Sequence, residues 1–277
     1  MWTLHFSFME DDPIAKLPML SSPQNQRVKD YVELRTDGNV RREQKRFLLE
    51  GRRGVSAALS TADVMVHEVI FCEPLLGDGM DLVRKAATKN IPLTRVSKDV
   101  FKKIADVMTP QGIAAIIKMP EWNAAKLFAA PDALFVAACG LQDPGNVGTI
   151  IRSCEAAGAA GLITLEGTAD VFNAKVVRAT AATLLTLPIL RMKTAEFLQL
   201  SARHKLRMVA TTAHEGTAYR QFEWKRRPLA LCIGSEGEGL PESIERACSE
   251  KVTIPMKGQA ESLNAAVAAS ILLFAAM

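Results

Sequence analysis

What most restricts the fold of this chain is the rhythm of its second half, where short apolar runs of strand length alternate with stretches of helical spacing. "ALFVAACGL" (133–141) and "LALCIG" (229–234) carry no charged residue. Such runs suit parallel strands covered on both faces, because a sheet with one wet face shows apolar and polar residues in turn. Between them, "VGTIIRSCEAAG" places Val147, Ile150, Ile151 and Cys154 at helical spacing. The alternation predicts an α/β fold with a largely parallel sheet.

The first half has the same rhythm. "RVKDYVELRT" reads as helix, "RFLLEG" as a strand closed by Gly51, "RRGVSAALST" as helix and "VHEVIFC" as strand. "MDLVRKAATKN" reads as helix, "IPLTRV" as strand, "SKDVFKKIADV" as a helix capped by Ser97, and "GIAAIIKM" as strand. The proline-framed stretch 120–131 shows no sustained period and is placed as a linker. The predicted organisation is a leader over 1–24, an α/β domain over 25–119, the linker, and a second α/β domain over 132–277.

"MWTLHFSFMEDDP" has no basic region ahead of an apolar run and does not read as a signal peptide, and the longest apolar stretch, 263–277, is too short for a bilayer. A cytoplasmic protein without a membrane segment is expected. The five cysteines are far apart, with no C-x-x-C and no histidine at ligand spacing, so reduced thiols and no metal are expected. Between Arg27 and Arg53 lie nine basic residues against five acidic ones, an excess equal to the chain's whole formal charge of +4. Arg27, Arg41, Arg42, Lys45, Arg46, Arg52 and Arg53 are candidates for phosphate contacts, although a solvated helix face has the same composition.

In open α/β sheets ligands bind beyond the carboxyl ends of the strands. Three loops in that position carry glycine beside polar residues: "QDPGNVG", "GSEGEGLP" and "PMKGQAESLN". In the first, Asn146 is placed to cap the following helix, and Arg152 falls off that helix's apolar stripe. An idle surface arginine and an anion-holding one share that spacing. The second matches neither G-x-G-x-x-G nor G-x-x-x-x-G-K-[ST], which argues against a phosphate cradle and for a neutral or cationic ligand, although a plain strand-to-helix turn has the same glycines. In the third, Ser262 is the N-cap candidate, Asn264 sits in the first turn, and Leu263, Val267, Ile271 and Phe274 form a stripe facing either a partner or the sheet.

Taken together, "NVGTIIRSCEAAGAAGLI", "LALCIGSEGEGLP" and "VTIPMKGQAESLNAAVAASILLF" resemble the three ordered motifs of the SpoU (TrmH-like) RNA 2′-O-ribose methyltransferases of the SPOUT superfamily. The basic leading domain is similar to the ribosomal-protein-like substrate-binding domain of two-domain members. The resemblance departs in "FNAKVV", where many members have Ser-Pro, and the final helix is short, so the RNA-binding tail of some relatives is not expected. It implies a trefoil-knotted catalytic domain, a homodimer and S-adenosylmethionine as cofactor. The implied cofactor contacts are Thr211, Gly234, Glu236, Gly239, Ile254, Met256, Leu263 and Asn264. The implied catalytic set is Asn146, Arg152, Glu236, Ser262 and Asn264, with Arg152 as general base or phosphate clamp. The implied substrate is RNA, ribosomal ahead of transfer RNA, and the alternative is an RNA-binding module of the same fold without catalysis.

Overall fold

The computed structural model describes residues 13–75 and 77–277; the reading of the amino terminus rests on residues 1–12, outside the described residues. The chain forms two compact units that divide between Pro120 and Glu121.

The first unit runs β1 (Met19–Leu20), α1 (Gln26–Thr36), α2 (Gly38–Gln44), β2 (Arg46–Glu50), α3 (Arg52–Ser60), β3 (Val66–Phe71), α4 (Gly79–Thr88), β4 (Leu93–Val96), α5 (Lys98–Ile104) and β5 (Ile113–Lys118). Its sheet has the order β1-β4-β3-β5-β2. β1, β4 and β3 are parallel, whereas β5 runs antiparallel to both β3 and β2, so the sheet is mixed. The cause lies at the carboxyl end of β3, where Cys72 N–H donates to the Gly112 carbonyl at 2.8 Å. The chain therefore enters β5 from the end at which β3 finishes. Ser97 caps α5 as expected, accepting from Val100 N–H at 3.3 Å. Residues 13–24, read as part of a leader, join this sheet: Met19 and Leu20 pair with Arg95 and Val96, and Arg95 Nη1 donates to the Ala15 carbonyl at 2.8 Å.

The second unit runs α6 (Ala124–Phe128), β6 (Leu134–Cys139), α7 (Pro144–Ala156), β7 (Gly161–Thr164), α8 (Ala174–Ala179), β8 (Ile189–Arg191), α9 (Thr194–Arg203), β9 (Arg207–Thr212), β10 (Thr217–Ala218), β11 (Leu229–Gly234), α10 (Glu242–Ala247), β12 (Glu250–Thr253) and α11 (Ala265–Ala275). Its sheet, β10-β12-β9-β11-β6-β7-β8, is parallel at every pairing. β6 and β7 are buried at every residue, the pattern their unbroken apolar sequence predicts.

Helix α6 lies inside the stretch read as linker. Asn123 caps it, accepting from Lys126 N–H at 3.0 Å, and Phe128 is buried with its ring centroid 5.2 Å from that of Phe135. Helix α8 stops at Ala179 although the apolar and small residues of "NAKVVRATAATLL" run on to Leu185. The Thr180 hydroxyl donates to the Val177 carbonyl at 2.7 Å, and Ala181 and Ala182 turn left-handed at φ 50° and 78°. Helix α7 packs closely on α8 because Gly148 has no Cβ; one added there would overlap the Ala179 side chain. Against α11 it is joined by a 2.7 Å hydrogen bond between the hydroxyls of Ser153 and Ser270. Among the described residues no helix is long and apolar enough to cross a membrane.

Candidate active site

Strands β12, β9 and β11 lie side by side, and their carboxyl ends open on a cavity of about 350 Å³. This is where an open parallel sheet places a ligand. The loop leaving β11 closes on itself: Ser235 N–H donates to the Gly239 carbonyl at 3.1 Å, and Gly239 N–H returns to the Ser235 carbonyl at 3.0 Å. Gly239 takes φ +71°, and a Cβ on Gly234 would overlap the Gly239 carbonyl carbon. Both glycines are demanded by this tight turn, which places Glu236, Gly237 and Glu238 at its tip.

Of the expected cofactor residues, Thr211, Gly234, Glu236, Gly239, Ile254, Met256 and Leu263 line the cavity. Asn264 does not, but its neighbours Leu263 and Ala265 do. The Thr211 hydroxyl donates to the Cys232 carbonyl at 2.9 Å and is thus engaged inside the sheet. The lining also includes Glu238 and Glu245, which sequence reasoning passed over, and it contains no lysine or arginine. Glu238 stood in a quoted motif but no pattern distinguished it from Glu236. Glu245 is on α10 and shows no sequence sign of facing a site.

The expected catalytic residues divide. Asp143, not Asn146, is the N-cap of α7, with Pro144 at its first position; the Asp143 side chain accepts from Asn146 N–H at 2.7 Å. Asn146 is thereby inside the first turn with its amide free to reach across, and its Nδ2 donates to Glu236 Oε1 at 2.9 Å. Asn264, not Ser262, is the N-cap of α11: its Oδ1 accepts from the backbone N–H groups of Ala266 at 3.0 Å and Val267 at 3.3 Å. Its Nδ2 donates to Asn146 Oδ1 at 2.9 Å and to Glu236 Oε1 at 2.8 Å. Ala265 N–H adds a third donor to that oxygen at 3.3 Å. The three glycine-bearing loops therefore meet in one cluster, Asn146–Glu236–Asn264.

Ser262 is exposed and lines the cavity without capping a helix. Arg152 is exposed, off the buried stripe of Val147, Ile150, Ile151 and Cys154, and it makes no hydrogen bond or ion pair among the described residues. It lies six residues beyond Asn146 on α7, about 9 Å along the axis. The fold leaves this guanidinium available while holding its helix rigidly at both ends.

The basic segment of the first unit is not one patch. Arg41 is only 2% exposed, and its Nη1 donates to the Leu34 and Arg35 carbonyls, each at 2.8 Å. It satisfies the last turn of α1 and so cannot be a phosphate contact. Arg27 reaches Glu68 at 2.5 Å and Thr94 at 2.7 Å, and Arg52 pairs with Asp78 at 3.0 Å. Burial pushes the Tyr31 phenol up to about 12, which keeps it a neutral donor to Glu68 at 3.0 Å. Arg42, Lys45 and Arg53 are exposed and Arg46 is half-buried. β2 separates them: Arg42, Lys45 and Arg46 are at its amino end, and Arg52 and Arg53 follow its carboxyl end, about 17 Å away.

A cavity beyond the ends of parallel strands, walled by glycine backbone, apolar side chains and carboxylates, defines an α/β protein whose site suits a small ligand with apolar and cationic parts. Residues 133–274 match the SpoU rRNA Methylase family, and residues 25–115 match the MRM3-like substrate binding domain. The chain is 31% identical to the 23S rRNA (guanosine(2553)-2'-O)-methyltransferase RlmP of Bacillus subtilis, over 93% of this chain and 98% of that protein. An AdoMet-bound rRNA methyltransferase from Sinorhizobium meliloti superposes with a TM-score of 0.83 at 30% identity, covering 94% of this chain and 97% of that one. The SpoU methyltransferase AviRb from Streptomyces viridochromogenes, in complex with the cofactor AdoMet, gives 0.79 at 31% identity over 91% and 97%. The chain belongs to the SpoU rRNA methylase family.

Proposed function

We propose that this chain transfers a methyl group from S-adenosylmethionine to a ribose 2′-hydroxyl of ribosomal RNA. The observation that carries the reading is the Asn146–Glu236–Asn264 cluster, whose Glu236 also lines the cavity together with Glu238 and Glu245. The residues present fit the cofactor. Ile233, Ile254, Met256 and Leu263 offer apolar surface to a flat base, the Gly234 backbone permits close approach, and carboxylates suit positive charge. When bound, S-adenosylmethionine supplies the methyl group as an electrophile on a positively charged sulfur.

The chain's own residues position the reactants. Asn146 and Asn264 hold Glu236 in one orientation, and Ser262 offers a hydroxyl at the cavity wall. Arg152 grips the ribose-phosphate. A guanidinium is a poor proton acceptor and a good two-point donor, so a bidentate phosphate clamp asks less of the surroundings than proton abstraction does. Residues 25–119 serve as the RNA-binding domain and residues 132–277 as the catalytic domain, with Arg27, Arg42, Lys45, Arg46, Arg52 and Arg53 as phosphate contacts.

The reading includes a trefoil knot around the cavity and a homodimer formed through α11. What supports the dimer is exposed apolar surface on that helix, Val267 at 46% and Phe274 at 53%. A ribosomal substrate is supported by the relatives' activity on 23S rRNA, and a cytoplasmic location is part of the same reading.

The test is transfer of isotope-labelled methyl from S-adenosylmethionine by the full chain, offered unmodified ribosomal RNA and transfer RNA separately. Label in ribosomal RNA is expected. Label in transfer RNA alone would move the substrate. Binding of RNA and cofactor with no transfer would leave a binding module that has lost catalysis.

A further inference from the structure

We infer that Glu238 makes the cavity prefer the positively charged cofactor over the neutral-sulfur product. The inference rests on the methyl-transfer reading. Three carboxylates line the cavity, Glu236, Glu238 and Glu245, and their surroundings differ. Glu236 is held by the neutral donors Asn146, Asn264 and Ala265 N–H. Glu245 is ion-paired with Lys251 at 2.8 Å, and Lys251 is also 3.6 Å from Glu215. Glu238 contributes only its backbone N–H, to the Ser235 hydroxyl at 3.2 Å; its carboxylate has no partner among the described residues. It stands at the tip of the 235–239 turn, two residues beyond Glu236, and lines the cavity.

In a cavity of about 350 Å³ a wall charge lies within roughly a Debye length, about 8 to 10 Å, of a ligand anywhere inside. During transfer the ribose oxygen gains a bond to the methyl carbon as the carbon–sulfur bond breaks. The bonding pair stays on sulfur, which becomes neutral, and the hydroxyl proton leaves to solvent. Cofactor and product share adenine, ribose and the amino-acid end, so a carboxylate's effect on those parts cancels when the two affinities are compared. What remains is the unit charge on sulfur. An unpaired carboxylate therefore holds the cofactor more tightly than the product.

Calorimetry on the full chain with S-adenosylmethionine and S-adenosylhomocysteine tests this. In Glu238→Gln the ratio of product to cofactor dissociation constants should fall by about three- to tenfold, chiefly through weaker cofactor binding. Glu238→Lys should lower it further. In the wild type the ratio should shrink as salt rises from about 0.05 to 0.5 M, a readout that needs no variant to fold. A ratio unchanged in Glu238→Gln, or insensitive to salt, overturns the inference while leaving methyl transfer intact. Absence of binding by either ligand to the wild type would instead overturn the cofactor reading itself.

Discussion

Asn264 does two things with one amide. Its oxygen caps α11 and its nitrogen bridges Asn146 and Glu236, so the start of the last helix and the geometry of the site are set by the same side chain. Arg152 is the opposite case, a charged group to which the described fold gives no partner. Arg152→Ala should therefore change stability by no more than about 0.5 kcal/mol, the range of surface substitutions. Single-turnover methyl transfer should nevertheless fall by about 100-fold or more, because the ribose loses its positioning. Arg152→Lys should keep part of the RNA affinity but little of the rate, since an ammonium cannot reproduce the planar two-point grip. Thermal melting and rapid-quench assays decide it; a variant that unfolds, or one that turns over at the wild-type rate, makes the arginine structural or idle.

Helix α11 shows what the sequence could and could not say about an element. Its existence and its apolar character were legible, but two orientations remained open. Ala265, Ala266, Ala269, Leu272 and Leu273 face inward, while Val267 and Phe274 are exposed. Replacing Val267 and Phe274 together with Glu should leave the fold intact and shift the mass in light scattering from dimer to monomer. A wild type that is already monomeric, or a double variant that stays dimeric, contradicts the assigned interface. The N-caps were misread because Asp143 and Asn146, or Ser262 and Asn264, are equally good cap types a few residues apart. Only the contact with Glu236, distant in sequence, distinguishes them. The direction of β5 and the strands β1, β8 and β10, two or three residues long, left no periodic trace.

At the scale of the whole molecule, charge read along the chain overstated one surface. Arg41 contributed to the basic excess but is buried as a helix-end donor, and β2 divides the remaining residues between two ends of the first sheet. Burial of a charged side chain against backbone carbonyls has no signature in composition. Replacing Arg42, Lys45 and Arg46 with Ala should weaken RNA binding and flatten its salt dependence by about 0.7 per lost contact to single strands, without changing cofactor affinity. An unaltered slope in a filter-binding titration would return this end of the sheet to an ordinary solvated surface. The alternation of strands and helices and the three loops were legible because each rests on local pattern. The cavity that joins them depends on which strands become neighbours. The central claim, methyl transfer to a ribose oxygen, is tested most directly by nucleoside mass spectrometry of ribosomal RNA incubated with the full chain and labelled S-adenosylmethionine. The account predicts label in a single 2′-O-methylnucleoside, lost in Arg152→Ala; label on a base, or unlabelled RNA from a protein that binds both reactants, would contradict it.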